Sequence, residues 1–95
     1  MGQEKYAPSI ISDEPYCFLC GGTGYLQRHE IFFGRNRQNS KKYGTWVNLC
    51  MACHDKVHFS KDPKLKIKLW EIGQRKFEEK YSKKAFFNVF GKDYS

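Results

Sequence analysis

No stretch of this 95-residue sequence stays apolar for long; Ile10-Ile11 and Ile31-Phe32-Phe33 are the longest candidates. A bilayer-spanning helix needs about 20 apolar residues in a row, and a secretory leader a core of about 7–15. No membrane partner is therefore expected, and the chain is expected in the cytoplasm. Proline is scarce, at three residues, and neither an internal repeat nor a low-complexity tract breaks the chain into units. Acid is in short supply as well: ten Asp and Glu stand against 17 Lys and Arg, for a net charge of +7. That shortage is regional. Residues 1–15 hold Lys5 against Glu4, Asp13 and Glu14, a net −2, so the remainder carries +9. An excess of this size favours a polyanionic partner, because Lys and Arg release the counterions condensed on it.

A chain this short also lacks the length to bury a comfortable core, so a staple is expected. Its four cysteines supply one. They form two equal knuckles, Cys17-Phe18-Leu19-Cys20 and Cys50-Met51-Ala52-Cys53. Two disulfides are the alternative, but in a reducing compartment paired Cys-x-x-Cys reads as metal. Two thiolates from each knuckle fill a tetrahedral zinc site, with Zn–S about 2.3 Å. The 29 residues between Cys20 and Cys50 exceed the usual spacer of roughly 15–20, which leaves room for a strand–loop–strand insertion.

Residues 1–15 show no clear period and read as an N-terminal arm, ahead of a single domain over 16–95. Turn signals run from Tyr16 to Gly24. Tyr25 to Phe33 reads as a strand, Gly34 to Gly44 as a polar basic loop, and Thr45 to Leu49 as a second strand. Met51 to Phe59 then suits a short helix. Asp62-Pro63 looks like a cap with proline at the first helical position, opening a helix to about Tyr81 with Leu65, Leu69, Ile72 and Phe77 on its apolar face. Ser82 suits the cap of a last helix ending at Gly91, with Phe86, Phe87 and Phe90 turned inward. The expected fold is α+β, with knuckles and hairpin core over 17–59 and basic helices over 62–95.

With the cysteines spent on zinc, all three histidines remain. His54 and His58 are four apart, so a helix stacks them on one face with Cβ atoms about 5–6 Å apart. His29 lies on the first strand, which the knuckles draw toward that helix, and Glu30 follows it. Three imidazoles leave coordination positions open, as a catalytic ion requires. Imidazole donors suit a transition metal better than magnesium. Arg28, Arg35 and Arg37 are candidates for phosphate, since guanidinium pairs with it bidentately. The loop that also holds Lys41 and Lys42 contains no acid and is expected to track a nucleic-acid backbone. No base-reading module is recognisable, so low sequence specificity is expected.

These residues together resemble the HNH (ββα-metal) endonuclease superfamily in its zinc-containing branch. The match runs through Cys17-x-x-Cys20, His29-Glu30-Ile31 and Leu49-Cys50-x-x-Cys53-His54-x-x-x-His58. More narrowly, Arg28 to Gly34, Asn36-Arg37-x-x-Ser40 and Phe90-Gly91-Lys92-Asp93-Tyr94 resemble small HNH proteins of bacteriophages and prophages. The resemblance implies a zinc-stapled ββα-metal fold with added C-terminal helices, and a DNA endonuclease or nickase leaving 5′-phosphate and 3′-hydroxyl ends. It implies a second divalent ion (Mg²⁺, Mn²⁺, Ni²⁺ or Zn²⁺) on His29, His54 and His58, beside the structural Zn²⁺. Glu30 falls where the family usually has a histidine base, so either Glu30 is the base, or His29 is and Glu30 is a ligand. Asn36 takes the place of the asparagine that braces the loop, with Thr45 the other candidate. A homodimer or a larger phage complex in the host cytoplasm would suit the resemblance. A zinc-stabilised module that grips DNA without cutting, or an adaptor protein, are the competing classes.

Overall fold

The computed structural model describes residues 6–94. Strands β1 (Leu26–Glu30) and β2 (Trp46–Cys50) pair antiparallel, with His29 opposite Val47 and Leu26 opposite Cys50. Helix α1 (Arg37–Tyr43) lies between them in sequence; α2 (Met51–Phe59), α3 (Lys64–Lys80) and α4 (Lys83–Phe90) follow. The result is the expected α+β class: a hairpin, four helices and a four-cysteine cluster. No helix among the described residues is long and apolar enough to cross a membrane.

The second knuckle is the junction of β2 and α2. Cys50 ends the strand and caps the helix, its Sγ accepting from the Cys53 N–H, so the sharp turn satisfies one of the helix's free N–H groups. α3 starts one residue later than expected, with Pro63 rather than Asp62 at the cap; the Asp62 Oδ1 accepts from the Lys64 N–H at 3.1 Å, and the helix ends at Lys80. α4 is capped by Ser82, whose Oγ accepts from the Ala85 N–H at 2.9 Å, and it stops at Gly91.

The core lies where the end of β1 meets α3 and α4. Ile31 and Phe32 leave the ladder and are fully buried, so the first strand is shorter than the expected Tyr25–Phe33. Phe32, Phe77, Phe86 and Phe90 interlock, with Phe86 stacked on Phe90 at 4.7 Å and Phe32 tilted against Phe90 at 4.7 Å. Each buried ring removes enough apolar surface to contribute roughly 1.5–3 kcal/mol. Gly73 lets α3 approach this closely: a Cβ there would come within 3.1 Å of Ile31 and 3.2 Å of the Phe32 ring. Phe87, expected inward, is 59% exposed. The i, i+4 pair Phe86 and Phe90 takes the buried stripe, and the next residue along turns about 100° away from it.

The basic segment expected as a loop is a correction: Gly34–Asn36 form a 3₁₀ turn and Arg37–Tyr43 form α1. Polar anchors hold most of it, with Tyr43 adding a ring contact 5.6 Å from Phe77. The Ser40 hydroxyl donates to the Phe32 carbonyl at 2.7 Å and accepts from its N–H at 3.1 Å. The Asn36 amide donates to the Phe90 carbonyl at 2.9 Å, and the Asn39 amide to Val89 at 3.0 Å, tying α1 to the end of α4. Gly44 ends the helix at φ 76°, where a Cβ would also sit 2.1 Å from the Pro8 carbonyl oxygen.

Of the arm expected over 1–15, residues 1–5 lie outside the described residues. The remainder packs along α1 and β2. The Ile10 N–H donates to Gly44, the Ser9 hydroxyl to the Trp46 carbonyl, and the Trp46 indole to the Ala7 carbonyl, at 2.9, 2.6 and 2.7 Å.

Candidate metal centres and basic groove

The four sulfurs of Cys17, Cys20, Cys50 and Cys53 lie within 4.8 Å of one another, and no disulfide joins them. Thiolates about 2.3 Å from one tetrahedral ion stand about 3.8 Å apart. The Cys20 and Cys50 sulfurs are separated by 3.7 Å. Each knuckle turns a backbone N–H onto its first sulfur: Cys20 N to Cys17 Sγ, and Cys53 N to Cys50 Sγ, both at 3.5 Å. Such donors favour the thiolate. The first knuckle hangs on β2 through the Phe18 N–H, which donates to Asn48 at 2.8 Å. Burial raises the Cys17 thiol, but backbone N–H donors outweigh it and bring the group down to about 6. Cys53 is pushed up to about 12, by burial and then by its bonds to the neighbouring sulfurs. Four sulfurs so crowded cannot all ionise without a cation among them, and a soft-donor tetrahedron is the chemistry of structural zinc.

The histidines form a second cluster one residue further along α2. Ligand nitrogens of His29, His54 and His58 lie within 4.8 Å of one another. The ring centroids are 5.4 Å apart for His29 and His54, 5.1 Å for His29 and His58, and 4.6 Å for His54 and His58. His29 is 2% exposed, and its Nε2 is buried without a hydrogen-bond partner. A buried polar atom left unpaired costs about 1–3 kcal/mol, so its presence among two other imidazoles fits a metal ligand. Burial, then the neighbouring His58 and His54, lowers the His29 pKa to about 3. His58 is also lowered, by burial first and then by His54 and Lys66. Neutral imidazole is the state that binds metal.

His54 and His58 open onto a groove of about 460 Å³ that Arg28, Glu30, Arg37 and Tyr6 also line. Glu30 is engaged there: Arg37 Nε stands 3.2 Å from one carboxylate oxygen, and the Tyr6 hydroxyl donates to the other. The Arg28 guanidinium stacks over Tyr6 and Trp46, at 4.6 and 5.0 Å from the ring centroids. The structure thus gathers His29, His54, His58, Glu30, Arg28 and Arg37 at one place.

It does not gather the rest there. Asn36 spends its amide on Phe90, Tyr94 and Asn39, so it braces the α1 turn against α4 and reaches no histidine. Thr45 is fully buried, with its hydroxyl unpartnered. Arg35 lines a separate cavity. Lys41, expected on phosphate, is 2% exposed with its ammonium 5.4 Å from the Tyr6 ring centroid, which is a correction. The helical turn that replaces the loop points Lys41 inward and leaves Lys42 outside. Tyr6 and Phe33 were not singled out by the sequence, yet Tyr6 holds Glu30, and Phe33 packs 5.2 Å from His58. A tyrosine in an aperiodic arm gives no signal of its distant partner. Comparison with protein-family models, with curated proteins and with solved structures finds no match to this chain.

Proposed function

We propose that the chain is a metal-dependent DNA endonuclease or nickase of the HNH type, with zinc on its four thiolates and a second divalent ion on His29, His54 and His58. One observation carries the reading: the buried, unpartnered Nε2 of His29, set beside two further imidazoles at the floor of a basic groove. A structural module would need the cysteines alone.

An ion bound there would supply Lewis acidity toward a phosphate oxygen and the leaving group. The chain supplies the rest. His29 is too deeply buried to meet an attacking water, which favours it as a ligand and assigns proton abstraction to Glu30 on the groove wall. Arg37 holds the Glu30 carboxylate in place and, being itself half exposed, offers its remaining N–H groups to phosphate. Arg28 and Lys42 add positive charge for a DNA backbone.

Supercoiled plasmid incubated with zinc-loaded protein and Mg²⁺, Mn²⁺, Ni²⁺ or Zn²⁺ tests this. Nicking is expected with at least one ion, and its loss in His54→Ala and Glu30→Gln. Binding without nicking under every ion would overturn the enzyme. That outcome would favour a DNA-gripping module, which the engagement of both Glu30 oxygens by Arg37 and Tyr6 also suits.

A further inference from the structure

A second cavity, of about 620 Å³, opens on the other side of Phe33 and Gly34, two residues it shares with the histidine groove. The rings of Phe33, Trp70 and Tyr94 line it, with Arg35 and Lys92 at its exposed edge and Asn36 in its floor; among the described residues no carboxylate does. These walls are preformed. The Trp70 indole donates to the Ile31 carbonyl at 3.1 Å, and Tyr94 is held twice, by the Asn36 amide on its hydroxyl and by the Gln74 side chain on its N–H, both at 2.8 Å. Trp70 and Tyr94 stand edge to face at 5.2 Å. Lys92 carries its ammonium 4.7 Å from the Tyr94 ring centroid. The Asn36 and Asn39 amides satisfy carbonyls at the end of α4, so the floor presents capped polar groups rather than a negative helix terminus.

Planar apolar walls with two cations, and no acid among the described residues, match a ligand that joins an aromatic ring to an anion. A nucleotide is that ligand, because each base offers a π-face and each unit a phosphate. Phe33 stands between the two sites, its ring 5.2 Å from His58 and 6.5 Å from Trp70. A strand whose phosphate lay at the histidines would therefore bring its neighbouring nucleotide to this cavity, provided the base were unpaired and free to leave the stack. We infer that the cavity receives one unpaired nucleotide of a DNA strand, its base against Trp70 and Tyr94 and its phosphate at Arg35 and Lys92. The preferred substrate is then single-stranded or locally unpaired DNA rather than intact duplex. The link to cleavage rests on the nuclease reading; the binding itself does not.

Tryptophan fluorescence of zinc-loaded His54→Ala protein, which keeps the cavity intact, reads binding without cutting. A duplex carrying a short unpaired thymidine tract is expected to bind about 10-fold tighter than the same duplex fully paired, and to quench the emission. An abasic tract of equal length should lose that gain, and Arg35→Ala and Lys92→Ala should each lose roughly 3–10-fold. Trp70→Phe should keep the fold, as judged by circular dichroism, and lose the quench while Trp46 still emits. Equal affinity for paired and unpaired DNA, indifference to abasic substitution, or a quench that survives Trp70→Phe would each overturn the assignment. Free thymidine monophosphate binding as tightly as the tract would overturn the strand as ligand. The two readings separate on the wild type: cutting of duplex with no preference for unpaired sites sinks the cavity alone. Preferential binding with no cutting under any metal sinks the nuclease alone.

Discussion

The thiolate cluster and the imidazole cluster share helix α2, and the contrast between them is one of closure. The cysteines arrive from two turns that face each other, supply four donors and aim backbone N–H groups at their own sulfurs. A tetrahedral ion there would have no free position, which marks a staple. The histidines supply three donors, one deeply buried and two opening onto a charged groove. An ion there would have room for water and substrate. The same nine-residue helix thus brings Cys53 to the closed cluster and His54 and His58 to the open one.

The contrast breaks most visibly through the staple. Structural zinc contributes about 10–16 kcal/mol in small metal domains, more than many domains possess as net stability. Cys53→Ser, or chelation, should therefore abolish the cooperative melt and the near-ultraviolet circular dichroism; an unchanged melt would show that the thiolates are no staple. His54→Ala should do the reverse. Bound metal measured by mass spectrometry under native conditions should fall from two ions to one, nicking should drop by more than the ~10–100-fold lost with an outer-shell partner, and the melt should hardly move. A stoichiometry of one in the wild type would collapse the distinction altogether.

Acid sharpens the same comparison with a smaller effect. His29 has an ordinary pKa near 6.5 and a folded value of about 3. Between those values the unfolded chain binds a proton that the native chain refuses, so stability falls as pH drops from 6.5 toward 3 and is untouched above 6.5. Melting of protein loaded with zinc only at its thiolates should show this slope, and His29→Gln should flatten it by the amount owed to the imidazole. Parallel slopes in the two proteins would sink the account. Smallest are the two adjacent lysines. Lys42→Ala should lower the salt slope of DNA binding by about 1, while Lys41→Ala should leave the slope alone and cost about 1–2 kcal/mol of stability through its buried stem. The opposite pattern would put α1 back as the polar basic loop read from the sequence.

Much of this is legible in the sequence. The knuckles, the span of α2, the pairing of His54 with His58 and the delivery of His29 by the first strand all follow from spacing, because metal ligands and helix periodicity are local constraints. The cap of α4 was legible for the same reason. Helix α1 was not, since its anchors lie far off in sequence: Ser40 reaches back to Phe32, and Asn36 and Asn39 reach ahead to Phe90 and Val89. A short helix fixed by polar bonds to distant carbonyls carries no hydrophobic rhythm. Tyr6 on Glu30 and the inward turn of Lys41 depend on that helix, so they were hidden with it.

Cys53 and His54 are consecutive residues, so a single peptide link separates the two clusters. The molecule accordingly contains a built-in gauge. Cobalt exchanged onto the sulfurs would place an unpaired-electron source next door to the imidazoles, and the broadening of the His54 and His58 ring resonances would read out the interval between the sites without a label being attached anywhere.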